Sequence, residues 1–329
     1  MSFIRNISAT IAGALLLTSQ AVAEEFPSRN IEIIFPWGPG TAMAAVQVIA
    51  EGMGNELGVS LPVVSNPGAA GVRAVQTGLD RKADGYTIID NWVAPLVLQP
   101  ILGNADWAAK DFIPLWSGVT VPFAIAVRKD DDRFPDFPSF VEHVKNNPGE
   151  VRYSSGSFGN LPHMIMAQTM RANNAFARNI PYQQDGDALK DLRAGVIDYM
   201  FVSPATYASN SDAFKAIVVL NDDAGVRKYF DDAPLAGDFG TNIGLSGLAP
   251  MGWHWFTLHP DTPADRVKVL SDAMEKTLNN PEVIKRLESL NFFVPKLPPQ
   301  DFEASVTNVR EQLTAAADAV EWERAQLGQ

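Results

Sequence analysis

The chain of 329 residues contains no cysteine. That absence removes disulfides, thiolate nucleophiles, cysteine-ligated zinc and any lipid anchor built on an N-terminal thiol. Histidine is scarce too. The four, His143, His163, His254 and His259, form no metal-ligand spacing. His254 and His259 are five apart in an expected strand and turn, which puts them on alternate faces rather than around one ion. Basic residues are outnumbered, with 26 Lys and Arg against 38 Asp and Glu and a net charge of −12 at pH 7. Nucleic acid is therefore not an expected partner, since phosphate binding needs clustered Lys and Arg. An anionic small ligand stays open, because backbone dipoles act at short range in a recessed site. No cofactor and no metal are expected, and nothing points beyond a monomer.

The start of the chain reads as an export signal. Arg5 gives one positive charge, Ile7 to Leu17 an apolar run, and Ala21-Val22-Ala23 a small-x-small cleavage pattern. The run is about 11 residues, short of the roughly 20 that a spanning helix needs. Residues 1–23 are thus expected to be removed after Ala23, giving a free periplasmic protein without a lipid anchor. The remaining 306 residues, Glu24 to Gln329, suffice for two domains with separate cores.

Short β-rich apolar runs alternate with amphipathic helical patterns. Ile31 to Phe35 reads as a strand, Thr41 to Leu57 as a helix stopped by Gly58, and Leu61 to Val64 as a strand. Val72 to Ala83 is helical and Tyr86 to Ile89 a strand. The rhythm restarts with strands at Phe123–Val127 and Val151–Ser154, helices at Ser139–Asn146 and Leu161–Ala172, and strands at Ile180–Tyr182 and Tyr199–Val202. Ala188 to Ala194 is helical between the last two. The expected fold class is α/β with two lobes, each a mostly parallel sheet flanked by helices. The lobes are expected at 24–124 plus 251–329 and at 125–250. Crossings fall near Phe123–Val127 and Trp253–Leu258. Helices at Pro263–Asn279, Pro281–Leu290 and Asp301–Gln326 close the first lobe.

Ligands in parallel sheets bind beyond the carboxyl ends of strands. Two glycine-bearing loops occupy such places about 120 residues apart. The first runs Pro36-Trp37-Gly38-Pro39-Gly40-Thr41-Ala42 into a helix, whose unpaired N–H groups suit a carboxylate or phosphate without any Lys or Arg. It also reads as a plain tight turn. The second is Ser154-Ser155-Gly156-Ser157-Phe158-Gly159-Asn160 before Leu161, Pro162 and His163. Its hydroxyls on Ser155 and Ser157 turn donor or acceptor to suit a polar ligand, and Asn160 adds an amide. His163, in the first helical turn, reads either as a ligand contact or as a structural hydrogen-bonder. Asn91 offers a donor and Trp92 an apolar wall at the end of the strand from Tyr86, as does Trp37. Each tryptophan reads equally as core. Gln183, Gln184 and Ser203 are expected on the second lobe's rim.

The order and spacing of these pieces resemble the substrate-binding proteins of tripartite tricarboxylate transporters, the Bug family. The resemblance rests on Phe26-Pro27-Ser28-Arg29-Asn30-Ile31, the Pro-Trp-Gly-Pro-Gly loop and Asn66-Pro67-Gly68-Ala69-Ala70-Gly71. Asp84 to Ile89, Asp111 to Pro114, the serine-glycine loop to His163, and Ile180 to Gln184 leading into Ala188 to Asp198 extend it. It implies a two-lobed periplasmic-binding-protein (Venus flytrap) clamp. The clamp would hold a di- or tricarboxylate or an aromatic carboxylate, largely by backbone groups of the two loops, for delivery to membrane subunits of a tripartite transporter. Delivery to a sensory receptor is the alternative. The family's first loop usually ends in Thr-Asp, whereas Gly40-Thr41-Ala42-Met43 lacks the acid. An apolar far end of the site is the expected consequence.

Enzyme signatures fail on spacing. Gly38-Pro39-Gly40-Thr41-Ala42-Met43 has Met43 where a dinucleotide fingerprint needs its third glycine. Neither Ser155–Gly159 nor Gly244-Leu245-Ser246-Gly247 has the spacing of a nucleophile elbow. The chain is expected not to be an enzyme.

Overall fold

The computed structural model describes residues 25–328 except 157, 183–184, 222 and 242–252. The export signal, the Gly244–Gly247 segment and the sites expected at Ser157, Gln183 and Gln184 lie outside these residues. The chain forms two five-stranded sheets of matching topology. The first comprises β1 (Glu32–Phe35), β2 (Val63–Ser65), β3 (Thr87–Trp92), β4 (Ile113–Ser117) and β10 (His254–Leu258), in the order β2-β1-β3-β10-β4. The second comprises β5 (Ala124–Arg128), β6 (Arg152–Ser154), β7 (Arg178–Asn179), β8 (Tyr199–Val202) and β9 (Phe214–Val219), in the order β7-β6-β8-β5-β9.

Three neighbouring strands in each sheet are parallel. Both sheets are mixed, because the fourth place holds an antiparallel strand, β10 in one and β5 in the other. Each is the strand that follows a passage from the other sheet. Inner parallel strands are covered on both faces, which explains the unbroken apolar runs Ile33-Ile34-Phe35 and Ile88-Ile89.

Helices cover each sheet on two sides. On the first, α1 (Thr41–Leu57), α8 (Ala264–Asn279) and α9 (Pro281–Ser289) pack one face around Phe35, Ile49, Met53 and Met274. The other face carries α2 (Val72–Leu79), a π-helical turn at Ala94–Leu98 running into α3 (Gln99–Ile101), and the first half of α10 (Phe302–Gln326). On the second sheet α4 (Phe137–Asn146) and α5 (Leu161–Ala172) cover one face, and α6 (Asp185–Arg193) and α7 (Pro204–Ala208) the other. Local chemistry sets many of the ends. Gly58 stops α1 in the left-handed region at φ 69°, Asp136 caps α4 through the Ser139 amide, and Asn160 caps α5 through the His163 amide.

Several expected elements move by a few residues. Pro181 lacks the N–H that a ladder needs, and the strand expected at Ile180–Tyr182 forms earlier, at Arg178–Asn179. Trp37 is partly buried against the first core, and the expected ends of β2 and β3 shift toward the carboxyl side. The last helix does more than close the first lobe. Its buried stripe runs Phe302, Val306, Val309, Leu313, Ala316, Val320 and Glu323. Phe302 packs on Trp255, while Glu323 accepts from Tyr153 of β6. α5 is shared in the same way: Ile165, Met166 and Met170 face the second sheet, and Met164 and Ala167 join the α10 cluster.

The first passage between sheets is Gly118 to Phe123. Its backbone is held from both ends, since Val119 N–H donates to His254 Nε2 at 2.8 Å and Leu220 N–H donates to the Phe123 carbonyl at 2.8 Å. Thr120 pairs with Phe293 between them. His254 Nδ1 donates to Asp90, which also accepts from Trp92 Nε1 at 2.9 Å. Asp90 and His254 are both fully buried. The chain returns to the first sheet between β9 and β10, a stretch that includes residues 242–252, which lie outside the described residues.

Candidate functional site

The sheet order places the two glycine-bearing loops equivalently. Each leaves the carboxyl end of the strand that sits second in its sheet, β1 or β6, and opens the helix that follows. In the first loop Gly38, Pro39, Gly40 and Thr41 are exposed, and Ala42 is half-buried. A Cβ built on Gly38 or Gly40 meets no heavy atom within 4 Å. No side chain caps α1, and its first turn carries no acidic residue. The amides of Thr41, Ala42 and Met43 therefore point out of the helix end without an intrahelical acceptor. The loop base is pinned where Ser65 Oγ donates to the Trp37 carbonyl at 2.7 Å. A carboxylate at that end meets N–H donors and the positive end of a 17-residue helix.

Asn91 and Trp92 lie at the same end of the sheet, on β3 beside β1. Both are buried. The Asn91 amide donates to Thr257 Oγ1 at 3.2 Å, and its Oδ1 has no partner. Trp92 stacks on His254 with centroids 4.5 Å apart and donates to Asp90. Asn91 thus ties β3 to β10, and Trp92 packs on the His254 ring that holds the Val119 amide.

The second loop is internally bonded. Asn160 Nδ2 donates to the Ser155 carbonyl at 3.0 Å, while its Oδ1 accepts from the His163 amide at 2.9 Å. Ser155 Oγ donates to Asn179 Oδ1 at 3.3 Å, and the Tyr182 amide donates to the Gly156 carbonyl at 3.1 Å. Gly156 and Gly159 lie in the left-handed region, at φ +86° and +69°. His163 is fully buried and has both ring nitrogens committed: Nδ1 accepts from the Gly159 amide and Nε2 meets Glu323, each at 2.9 Å. Ser203, beyond β8 beside β6, caps α7 by accepting from the Thr206 amide at 3.2 Å.

Sequence reasoning gave Asp90 no role of its own beside Asn91 and Trp92, and left Glu323 unmarked. Asp90 is 164 positions from its partner His254, and no local pattern announces the pair. Glu323 did leave a signal, as an acid on the apolar stripe of α10 at helical spacing. No group of acidic and histidine side chains suited to a metal occurs among the described residues. Nor is any helix among them long and apolar enough to cross a membrane.

Two mixed sheets of matching topology, with glycine-bearing loops at equivalent strand ends, are the architecture of a two-lobed solute-binding protein. Solved structures share the fold. A TctC solute-binding protein from Polaromonas, without ligand, superposes with a TM-score of 0.74 at 23% identity, over 90% of this chain and 99% of that one. MatC from Rhodopseudomonas palustris, with bound malate, gives 0.65 at 22% identity, over 90% and 100%. A second R. palustris protein, with adipate, gives 0.68 at 18% identity, over 90% and 99%. The chain belongs to the tripartite tricarboxylate transporter receptor family, whose sequence profile matches residues 45–314. A UPF0065 protein of Bordetella pertussis is 30% identical over 298 residues, 88% of each chain.

Proposed function

We propose that this protein captures a small carboxylate between its lobes and delivers it to the membrane subunits of a tripartite transporter. The uncapped start of α1, opened by an exposed Gly-Pro-Gly turn, is the observation that carries this reading. The family supports it, as do the malate and adipate bound by neighbours of the same fold. The ligand carboxylate sits on the Gly40–Met43 amides, and the serine-glycine loop closes over it. The lobes are 24–124 plus 251–329 and 125–250, with α10 reaching from the first onto the second, and they move about the two passages and that helix as one clamp. Closure is driven by contacts that exist only in the closed form. Residues 1–23 direct export and are cut after Ala23, and the mature protein works as a monomer in the periplasm.

Loop 1 lacks the acid that the family resemblance leads one to expect after Thr41, and Ala42 and Met43 pack against the apolar core of the first lobe. An amino acid's ammonium meets no acidic side chain in this loop. We therefore assign the ligand to plain di- or tricarboxylates or aromatic carboxylates. The test is a thermal-shift panel of malate, adipate, citrate, benzoate, glutamate and aspartate. Stabilisation by one or more plain carboxylates is the expected result. Stabilisation by amino acids alone overturns the assignment, and no stabilisation by any member overturns carboxylate capture.

A further inference from the structure

We propose that Glu323, on the C-terminal helix, is a positioning residue for the serine-glycine loop. It acts through His163, which holds the Gly159 amide. The proposal rests on the reading of that loop as a ligand contact.

The hydrogen bonds define the device. The Gly159 N–H donates to His163 Nδ1 at 2.9 Å, so that nitrogen carries no proton. The ring proton is then on Nε2, which donates to Glu323 Oε1 at 2.9 Å. Tyr153 Oη donates to the other oxygen, Oε2, also at 2.9 Å. Burial and the Glu323 charge push the Tyr153 phenol well above its ordinary value, which keeps it a donor. The side chains of His163 and Glu323 are 0% and 2% exposed, so water does not compete for these bonds.

The loop needs such a restraint. It passes through left-handed backbone at Gly156 and Gly159, and glycine has no steric preference that would select this path. Its other bonds, to Asn160, Asn179 and Tyr182, come from the second lobe itself. Glu323 reaches the loop from α10, as does Arg324, whose guanidinium lies 5.6 Å from the Phe158 ring centroid; the first half of that helix is packed on the first sheet beside Trp255. The imidazole thereby connects the loop to a helix shared by both sheets. Without the carboxylate, Nε2 loses its acceptor, the ring is free to change tautomer, and the Gly159 amide loses its fixed partner.

The test compares Glu323→Ala, Glu323→Gln and a remote destabilised control, Val283→Ala in the core of the first lobe. Binding of malate and adipate is measured by titration calorimetry, beside the thermal midpoint of each variant. Glu323→Ala is expected to weaken binding about tenfold or more, the size of one lost hydrogen bond to a charged group. Glu323→Gln, whose amide oxygen still accepts from Nε2, recovers most of that affinity. Val283→Ala lowers the midpoint and leaves affinity unchanged. Wild-type affinity in Glu323→Ala overturns the proposal, as does an equal loss in Val283→Ala. Nitrogen NMR of the wild-type His163 ring and hydrogen exchange of the Gly159 amide give a second readout that needs no variant. A single Nε2–H tautomer with a protected Gly159 amide is expected, and an Nδ1–H or mixed ring overturns the device even if the alanine variant fails to fold. If neither acid binds wild-type protein, the titration uses whichever acid of the thermal-shift panel stabilises it; if none does, the carboxylate reading fails and the positioning claim is judged on these NMR measurements alone.

Discussion

Gly40→Val isolates the first loop from the stability of the fold. Gly40 has φ 170°, extended backbone that any residue adopts, and a Cβ there meets nothing within 4 Å. Its exposed position limits the change in stability to about 1 kcal/mol, the usual cost of a poor N-cap residue. The valine methyl groups project beside the Thr41 and Ala42 amides, where the ligand carboxylate is proposed to sit. Displacing the ligand from one such donor removes a hydrogen bond to a charged group, about 1.5–3 kcal/mol. That corresponds to a Kd about 10- to 150-fold weaker. Calorimetric titration with malate or adipate, beside a melting curve, reads both quantities. An unchanged Kd in a protein of unchanged midpoint refutes the placement of the carboxylate at this helix end. Gly156→Val is the less clean companion. Its φ of +86° costs a side chain about 1–2 kcal/mol. A Cβ there would also lie 3.0 Å from Asn160 Nδ2. Affinity and midpoint should fall together in that variant.

Three further outcomes follow from the packing. Gly118→Ala would bring a Cβ to 2.4 Å from His254 Nε2 and 2.8 Å from Phe256 Cε2, both in buried rings. It should cost about 1–3 kcal/mol, read as a lower denaturation midpoint. Asp131 is pushed up by burial, but its hydrogen bond to Arg133 and the charges of Arg133 and Arg128 outweigh this and hold it below 3.8. Its contribution is full above that value and is lost as pH falls through the lowered one, so Asp131→Asn should flatten the acid limb of a midpoint-against-pH curve. Burial, with a bond to Asp231, pushes the Tyr207 phenol up to about 12. Neutral Tyr207 stabilises the fold below the ordinary value of 10, and that stability is lost as pH rises from there to about 12; Tyr207→Phe should shallow the alkaline limb.

The repeating β-loop-α units were legible because the inner parallel strands are buried on both faces and several helix ends are marked by their own residues. Thr41–Leu57 and Leu161–Ala172 match the structure residue for residue, since Gly58 and Asn160 mark their limits chemically. The antiparallel strands were not legible as sheet partners. β10 pairs with β3 and β4 from more than 130 positions away, and nothing in the local run His254–Leu258 names those neighbours. The same distance hid the partners of Asn91, Trp92 and His163. Each was marked for its chemistry, and each is engaged by a remote residue: Asn91 by Thr257, the Trp92 ring by His254, and His163 by Glu323. The first loop stood out because its glycines and bare helix end are local features, independent of tertiary context.

The place of β10 also sets an order of assembly. β4, made by residue 117, is an edge strand whose only strand partner among the described residues is β10, finished at residue 258. The first sheet therefore waits, incomplete, while the whole second sheet is synthesised. Pairing across such a separation is slow, because the loop must close before its contacts form. A chain that cannot finish its first domain early stays threadable for longer, which suits the export proposed for it.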